Sequence, residues 1–574
     1  MPTVKGYAAA TRPGTPLPGR ITGLVLIVLV VTLIPYLCGY LLAPPRKAFQ
    51  GALNNIGDLT QYLAAIRQGA GGAWTYTNQF TPDHATALIM YTPYLLAGHV
   101  SLALPAPVVF QLLRLLCAGT CLLALASFCR LFVGAYALRA AWLFVLLAGG
   151  LYWLALLLSP LGMVNPAGLT APELSPLITL LISPHESLGL AGELLGFTCF
   201  LRALGAGEAL WSFERSPEAP ARGPWLMAAA GWFLVLALSY PFLLPTVGLV
   251  LAATVVVAAR SRVRARFGAA TPKRQLRAGG ILFSGSRAVL IAMAPAGAVG
   301  LYYLSVFHGD PLWSHSGLTT VGRPDLGVIL FAFGPLAAAA WFGTRRLWAL
   351  RAAGGDAAPL ALATFPVIWA AVNACTLLLP IWQQGRQALG LSVPLALLGF
   401  MALAGPQTLA TAGRVTLPAL PAAALAFSAP LLVALYTAIT AGGVNPGYYV
   451  PQGAMDAVSW LGAHAKSTDV VLASESFGNL VPAGCACRVV IGQQFQSFDL
   501  ATRQREVLGF YAAPSRIVAR SRLRAIVARE HITFYVLSPL ERGLGRVPLG
   551  AMPGFALRYH AGETAIYGRV YPHG

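Results

Sequence analysis

The sequence is dominated by apolar runs long enough to cross a lipid bilayer, which recur from Ile21 to about Ala441. A helix needs about 20 consecutive apolar residues to span the hydrocarbon core. We predict about eleven spans, over residues 21–43, 107–129, 138–158, 184–204, 224–240, 241–259, 286–306, 325–343, 359–380, 388–406 and 415–440. Only 10% of the residues are charged, against roughly 25% in soluble domains. No soluble fold accommodates this sequence.

The chain divides into three segments by composition. Residues 1–20 form an N-terminal tail, residues 21–440 a transmembrane domain whose first outer loop covers 44–106, and residues 441–574 a separate domain. The first apolar run is too long for a cleaved signal peptide and ends without a small-residue cleavage motif, so it is a permanent span.

The last segment is richer in charged residues, and its apolar runs shorten to the length of strands. Its alternating strand and helix patterns indicate a small α/β domain. We predict strands at Val470–Ala473, Arg488–Ile491 and Ile532–Leu537, helices near 499–511 and 514–530, and a closing hairpin at Ala561-Gly562.

Basic residues are unevenly divided between the two sides of the predicted spans. With the N-terminus in the cytoplasm, most lysines and arginines before residue 441 lie in inner loops, including a cluster from Arg260 to Arg287. The outer loops of that region hold only Arg46, Lys47, Arg67, Arg323 and Arg386. By the positive-inside rule, this is a multi-pass protein of the cytoplasmic (inner) membrane with its N-terminus inside and its C-terminal domain outside. The net charge of +20 therefore indicates contact with membrane lipid, and we expect no nucleic-acid partner.

The apolar stretch Ala85 to Ala103 is not counted among the spans. Pro93, Gly98 and His99 interrupt it, which is typical of a helix that lies in the membrane interface. The predicted fold is thus an α-helical polytopic membrane protein, with about eleven transmembrane helices, interfacial helices in the first outer loop and a small C-terminal α/β extracytoplasmic domain.

The first outer loop carries polar and aromatic residues in a defined order. Asp58 follows the first span, Tyr62 comes four residues later, and a turn at Gly72-Ala73-Trp74 precedes an apolar stretch with Tyr91-Thr92-Pro93-Tyr94 and Gly98. This order resembles the first outer loop of the GT-C superfamily, the membrane glycosyltransferases that use polyprenyl-phosphate-linked sugars.

Three later segments resemble parts of bacterial members of that superfamily, in the same order along the chain. They are Pro184-His185-Glu186, Phe307-His308-Gly309-Asp310-Pro311-Leu312-Trp313 and Gln383-Gln384-Gly385-Arg386. The resemblance implies an inverting transferase that moves a sugar from a polyprenyl-phosphate-linked donor to a glycan, lipid or protein acceptor on the extracytoplasmic face.

Asp58 is the candidate general base that this resemblance implies. Sugar transfer to a hydroxyl requires a group that takes the hydroxyl proton. A helical pattern from Leu59 to Ile66 follows Asp58, so a helix N-cap is the alternative role for its carboxylate. Gly57 and Leu59 flank Asp58 where the superfamily often has paired acids, which disfavours metal-assisted variants.

The donor phosphate is assigned to Arg386, Gln383, Gln384 and His185. A guanidinium close to lipid needs a partner, and a phosphate is a strong one because it accepts charge-assisted hydrogen bonds. The alternatives are an interfacial Arg386 paired with a carboxylate such as Asp310 or Asp325, and a His185 bonded to a loop carbonyl.

Acceptor binding or the wall of the cleft is assigned to Tyr62, Trp74, His308, Asp310 and Trp313. His308, Asp310 and His315 lie within eight positions, but their spacing matches no closed metal motif. We therefore predict no metal site and no firm cofactor, with a divalent cation as the minor alternative. Asp310 precedes Pro311, which is also typical of a turn former.

The C-terminal domain contributes weaker candidates. Gln493, Gln494 and Asp499 are assigned to the acceptor side, with a purely structural role as an equal alternative. Cys485 and Cys487 are separated by one residue, for which we expect a disulfide to be geometrically awkward.

Two functions from other classes compete with the transferase. A transporter or flippase predicts inverted repeats with broken helices, and none is visible in the sequence. A non-catalytic sensor or scaffold needs fewer spans than this chain has.

Overall fold

The computed structural model describes residues 19–53, 56–101, 104–151, 172–205, 222–267, 272–314, 326–352, 364–380, 383–410, 448–545 and 549–570. The first fourteen α-helices in chain order are α1 Gly19–Leu41, α2 Ile56–Ala70, α3 Thr92–His99, α4 Ala106–Cys129, α5 Ala135–Leu147, α6 Pro176–Ile182, α7 Pro184–Ala203, α8 Arg222–Ser239, α9 Leu244–Phe267, α10 Pro272–Gly309, α11 Pro311–Ser314, α12 Leu326–Ala352, α13 Thr364–Leu378 and α14 Ser392–Ala410. Single 3-10 turns lie at Pro172–Leu174, Pro241–Leu243 and Gln384–Ala388.

The remaining helices are α15 Gln452–His464, α16 Glu475–Gly484, α17 Leu500–Tyr511, α18 Arg516–Glu530 and α19 Pro539–Arg542. The strands are β1 Lys47–Phe49, β2 Tyr449–Pro451, β3 Val470–Leu472, β4 Arg488–Val489, β5 Phe534–Leu537, β6 Phe555–Ala561 and β7 Thr564–Arg569. Helices dominate before residue 410 and strands gather after residue 448, as the sequence predicts.

Seven helices in the described part of the chain are long and apolar enough to cross a membrane: Ile21–Leu41, Ala106–Cys129, Arg222–Ser239, Pro241–Arg260, Leu282–Gly309, Leu326–Ala349 and Gln384–Leu403. They coincide with seven of the predicted spans and confirm a multi-pass membrane protein. The predicted spans at 138–158 and 359–380 correspond to shorter apolar helices, Ala137–Leu147 and Thr364–Leu378. The predicted span at 184–204 is α7, which is 20 residues long but carries Glu186, Glu193 and Arg202. The span predicted at 415–440 lies outside the described residues.

The chain divides into two compact units. The helical unit comprises the described residues of Met1–Thr32, Arg114–Tyr303 and Val321–Ala434. In this unit α7 packs along α8 and α12 packs along α14. Phe128, Phe197, Phe365 and Trp369 form a buried aromatic cluster between its helices.

The sheet unit comprises the described residues of Leu33–Leu113, Leu304–Thr320 and Leu435–Gly574. Its five-stranded sheet has the order β4-β3-β5-β7-β6. Strand β3 pairs in parallel with β4 and β5, and the last two pairings are antiparallel. The first loop, residues 44–106, and the C-terminal segment therefore belong to one unit, and β1 pairs with β2 across them.

Helices cover both faces of this sheet. Val470 and Leu472 of β3 pack in the cluster formed with α17 and α18, whereas Val471 packs in the cluster formed with α15 and α16. Successive side chains of a strand point to opposite faces, so β3 is apolar on both sides. This arrangement confirms the predicted α/β domain.

Cys485 and Cys487, which the sequence analysis considered, form a disulfide. Their Cα atoms lie 5.3 Å apart, which is within the usual range for a disulfide. Extended backbone at Cys485 gives the two residues this separation although only Ala486 lies between them.

The interfacial stretch of the first loop contains one short helix in its described part. Helix α3 has 8 residues, which gives a length of about 12 Å, too short to span a bilayer. Its Pro93, Tyr94 and Leu95 are buried, and α3 packs directly against α2.

Two glycines allow the close approach of α2 and α3. A Cβ atom at Gly69 would lie 2.1 Å from the carbonyl oxygen of Leu95, and one at Gly98 would lie 2.1 Å from the carbonyl oxygen of Ile66. Any side chain at either position therefore forces the two backbones apart. This close contact explains why glycine stands at positions 69 and 98.

We predict that Gly69→Ala lowers the thermal unfolding temperature of the purified protein, because overpacking costs about 1–3 kcal/mol. Gly71→Ala is the matched control, since a Cβ atom there meets its nearest neighbour at 3.4 Å. Equal unfolding temperatures for the two variants in detergent would contradict the close packing of α2 on α3.

Candidate functional site

Asp58 lies in the first turn of α2 and is half-buried. Its Oδ1 accepts a hydrogen bond of 2.8 Å from Nε2 of Gln493. The helix begins at Ile56, so Asp58 lies inside its first turn. Asp58 is therefore not the N-cap residue of this helix. A carboxylate in this position is also favoured by the partial positive charge of the helix N-terminus.

A second glutamine of the C-terminal segment contacts the next turn of the same helix. Gln496 is fully buried, and its Nε2 donates to Oε1 of Gln61 and, at 3.0 Å, to the hydroxyl of Tyr91. The Tyr91 hydroxyl donates to Oε1 of Gln61 at 3.0 Å, and the Tyr76 hydroxyl donates to Oε1 of Gln496 at 2.7 Å. Burial raises the pKa of Tyr76 and of Tyr91, so both phenols stay protonated and keep donating.

The segment that carries both glutamines is fastened to the first loop by further polar contacts. The carbonyl of Gln496 accepts a 2.8 Å hydrogen bond from the side chain of Asn78. The Ser497 hydroxyl accepts from the backbone N–H of Gly492 at 2.9 Å and donates to the carbonyl of Phe80 at 2.8 Å. Backbone and side-chain bonds together fix where Gln493 and Gln496 stand.

Helix α2 is also tied to α16. The Thr60 hydroxyl donates to Oδ1 of Asn479 at 2.9 Å, and Nδ2 of Asn479 donates to the carbonyl of Gly57 at 3.3 Å. Near the other end of α2, Nε of Arg67 donates to the carbonyl of Pro482 at 3.1 Å. Burial lowers the pKa of Arg67 to about 10, so its side chain remains charged at neutral pH.

The residues predicted for the acceptor or the cleft divide into buried and exposed sets. Tyr62 stacks on Tyr94 with ring centroids 4.5 Å apart, and Trp313 is buried with its Nε1 donating to the carbonyl of Thr86 at 2.9 Å. In contrast, Trp74 is 70% exposed and stacks on His99. The His308 side chain is exposed as well.

Asp310 caps the short helix α11. Its Oδ1 accepts from the backbone N–H groups of Leu312 and Trp313 at 2.9 and 3.1 Å, and its Oδ2 accepts from the Thr86 hydroxyl at 2.6 Å. Burial by itself raises the pKa of Asp310, but these hydrogen bonds outweigh it and hold the pKa below its ordinary value. Asp310 is thus engaged in the turn that places Trp313.

Arg386 is the centre of a charged cluster in the helical unit. Its Nη1 lies 2.6 Å from Oε1 of Glu173 and 3.6 Å from Oε1 of Glu186. The Tyr240 hydroxyl donates to the same Glu173 oxygen at 3.0 Å, and Nε2 of His185 lies 3.9 Å from Oε1 of Glu186. The structure thus brings Arg386 and His185 together around two carboxylates of the helical unit, Glu173 and Glu186. The sequence analysis offered Asp310 or Asp325 as the partner of Arg386, and Asp325 lies outside the described residues.

The glutamines beside Arg386 fasten the turn on which it lies. Gln383 is buried in the left-handed backbone region with φ 55°. Gln384 donates to the carbonyl of Leu377 at 2.9 Å. Gln387 donates to the carbonyl of Phe242 at 2.9 Å and accepts from the Thr246 hydroxyl at 2.6 Å.

Among the described residues, no group of three or more His, Cys, Asp or Glu side chains is arranged to hold a metal ion. His315, a member of the trio that our sequence analysis considered, lies outside the described residues.

Comparison with known proteins complements this geometry. No protein-family model and no curated protein sequence matches the chain. Among solved structures, the apo oligosaccharyltransferase of Archaeoglobus fulgidus is 13% identical with a TM-score of 0.51, covering 90% of this chain and 69% of that chain. The archaeal oligosaccharyltransferase AglB from the same organism, in complex with an inhibitory peptide and a dolichol-phosphate, is 13% identical with a TM-score of 0.50, covering 89% and 69%. The chain has the GT-C fold.

Apo ArnT from Cupriavidus metallidurans is also similar, at 14% identity and a TM-score of 0.48, covering 96% of this chain and 98% of that chain. The two oligosaccharyltransferase structures confirm, at the level of the fold, the resemblance that the sequence of the first loop suggested. Within this GT-C fold, the roles of individual side chains rest on their contacts.

Arg503 of α17 joins the first loop to α18. Its Nη1 and Nη2 lie 2.7 and 3.1 Å from the two carboxylate oxygens of Asp83, and its Nε lies 3.3 Å from Glu530. Burial alone raises the pKa of Asp83, but hydrogen bonds and charge from Arg503, with a hydrogen bond from Thr81, outweigh it and hold the pKa below its ordinary 3.8.

We predict that this pair makes its full contribution to stability above about pH 4 and loses it at lower pH. Because the folded pKa of Asp83 is depressed, its contribution is present above the unfolded pKa and is lost as the pH falls through the folded pKa. Asp83→Asn should therefore lower the unfolding temperature at neutral pH, and the difference from wild type should vanish in acid. Asp456→Asn, at an exposed carboxylate of α15, is the control. A difference that is independent of pH would contradict the assignment.

Proposed function

We propose that the protein is a glycosyltransferase that moves a sugar from a polyprenyl-phosphate-linked donor to an acceptor hydroxyl on the extracytoplasmic face of the cytoplasmic membrane. The observation that carries the proposal is the GT-C fold together with Asp58, a half-buried carboxylate of the first outer loop held by Gln493. A dolichol-phosphate in the complex of AglB supports a polyprenyl phosphate as the leaving group here.

Asp58 acts as the general base of a single displacement. Its carboxylate takes the proton of the acceptor hydroxyl while the acceptor oxygen forms a bond to the anomeric carbon. The bond between that carbon and the phosphate oxygen breaks, and the electron pair leaves with the polyprenyl phosphate. One displacement at one carbon inverts its configuration.

Arg386 binds the donor phosphate, with Gln383, Gln384 and His185 around it. In the structure the Glu173 carboxylate forms an ion pair with the guanidinium of Arg386. A phosphate oxygen therefore has to replace that carboxylate. Exchange of one anionic partner for another keeps the guanidinium paired, which avoids the penalty of an isolated charge near lipid. The contacts of Gln384 and Gln387 with neighbouring helices keep the turn in place during this exchange.

Trp74 and His308 contact the acceptor, because their side chains are exposed. Tyr62, Asp310 and Trp313 form the wall behind them through stacking, capping and burial. The acceptor itself is a glycan, lipid or protein hydroxyl, and membrane lipid surrounds the spans.

We predict that Asp58→Asn reduces sugar transfer by about 100-fold or more without lowering the unfolding temperature, since the amide still accepts from Gln493. The measurement is polyprenyl phosphate released from a panel of synthetic polyprenyl-phosphate sugars by the protein in nanodiscs, with cell-envelope extract as acceptor. Asp456→Asn serves as control.

Wild-type transfer by Asp58→Asn would contradict the assignment of the base. If the wild type binds no polyprenyl-phosphate lipid by native mass spectrometry and transfers no sugar, the scaffold alternative replaces the transferase. Movement of the lipid-linked sugar across a liposome bilayer without transfer would establish a flippase.

We predict that Glu173→Gln tightens the binding of polyprenyl phosphate several-fold, because it removes the anionic competitor for Arg386. Glu186→Gln, whose carboxylate lies further from Arg386 at 3.6 Å, should have the smaller effect. Dissociation constants measured by titration of short-chain polyprenyl phosphate into nanodiscs decide this. Unchanged affinity together with a lower unfolding temperature would show that Glu173 and Arg386 form a structural pair only.

A further inference from the structure

We propose that Gln493 and Gln496 are positioning residues for Asp58, so that the C-terminal domain supplies part of the catalytic machinery. This inference rests on the proposed function, in which Asp58 is the general base. It also makes a structural claim that holds without any activity, namely that the two glutamines fix the first turns of α2.

The two segments in contact, α2 and the turn from Gln493 to Gln496, space their paired side chains equally. Asp58 and Gln61 are three residues apart on one helix and therefore lie on one face of it. Gln493 and Gln496 are also three residues apart, in a turn closed by the bond from the N–H of Gln496 to the carbonyl of Gln493 at 3.0 Å. Both side-chain pairs join residues separated by 435 positions, so the turn is in register with the helix.

The orientation of the Gln493 amide is determined by a bond at its other end. Its Oε1 accepts from the backbone N–H of Phe495 at 2.7 Å, which only an oxygen can do. Nε2 must therefore face Asp58, and Asp58 is the acceptor in this pair. An amide donor favours the ionised carboxylate and is itself uncharged.

The orientation of Gln496 is determined in the same way. Its Oε1 accepts from the Tyr76 hydroxyl, so its Nε2 faces Gln61 and Tyr91. Gln493 and Gln496 are 2% and 0% exposed. Loss of a hydrogen-bond partner by a buried amide costs about 1–3 kcal/mol of folding free energy. Rotation of α2 would break these hydrogen bonds and is therefore disfavoured.

The test compares Gln493→Glu with Gln452→Glu. Gln452 is an exposed residue of α15 whose Nε2 donates to Oδ1 of Asp456 at 2.9 Å, so both substitutions replace an amide donor beside an aspartate with a carboxylate. At neutral pH the new carboxylate at position 493 repels Asp58, so transfer should fall by about 100-fold or more with little change in donor KM. As the pH falls the new carboxyl binds a proton and donates as the amide does. Its transfer rate should therefore rise towards acid, whereas the rates of wild type and Gln452→Glu fall.

A second variant covers the case in which Gln493→Glu fails to fold. Gln493→Met keeps the size of the side chain but cannot donate, so transfer should fall with no recovery in acid. Amide hydrogen exchange of residues 57–63 gives a readout without activity. It should accelerate in Gln493→Met and stay at the wild-type rate in Gln452→Glu.

The outcomes separate the two claims. If Asp58→Asn transfers sugar normally, the proposed function fails. If Asp58→Asn is inactive but both variants at position 493 keep the wild-type rate and pH profile, positioning by Gln493 is overturned alone. Wild-type exchange at residues 57–63 in Gln493→Met overturns it as well, whether or not any transfer is detected.

Discussion

The packing of helix α2 against elements distant in sequence is the constraint on which the candidate site depends. A helix of 15 residues is marginal in water on its own, and its direction comes from tertiary contacts. Here α3 approaches through Gly69 and Gly98, Asn479 binds the first turn, and Gln493 reaches Asp58. The carboxylate is therefore placed by the C-terminal segment as much as by the loop that carries it.

The membrane architecture could be predicted from the sequence because the bilayer imposes a length and an apolar composition on every span. The strands of the sheet unit were also predictable, since runs such as Val470–Leu472 are short, apolar and bounded by turns. In contrast, the pairing of Arg386 with Glu173 joins residues 213 positions apart. No local pattern encodes such a pair, and our sequence analysis offered Asp310 or Asp325 as the partner instead.

The candidate site was predictable in the same uneven way. Asp58 stood out because a carboxylate shortly after a span is rare in so apolar a chain, and the family resemblance singled it out. Gln496, Tyr76 and Tyr91 did not, because a buried amide or phenol has no signature in a single sequence. The one available signal was the equal spacing of Asp58 with Gln61 and of Gln493 with Gln496, which acquires meaning only when the two segments meet.

The two clusters differ in the charge of their partners, and this difference fits their proposed roles. Asp58 accepts a hydrogen bond from the neutral amide of Gln493, and the side chain of Gln496 bonds to an amide and two phenols. A base tied to a guanidinium would lose its affinity for a proton, whereas an amide orients it and leaves most of that affinity. Arg386, which has carboxylate partners, has the opposite requirement, because a site that exchanges anions needs its cation paired before the ligand arrives. A neutral donor at the base and anionic partners at the cation thus each lower the free-energy cost of a charged side chain in a mostly apolar membrane protein.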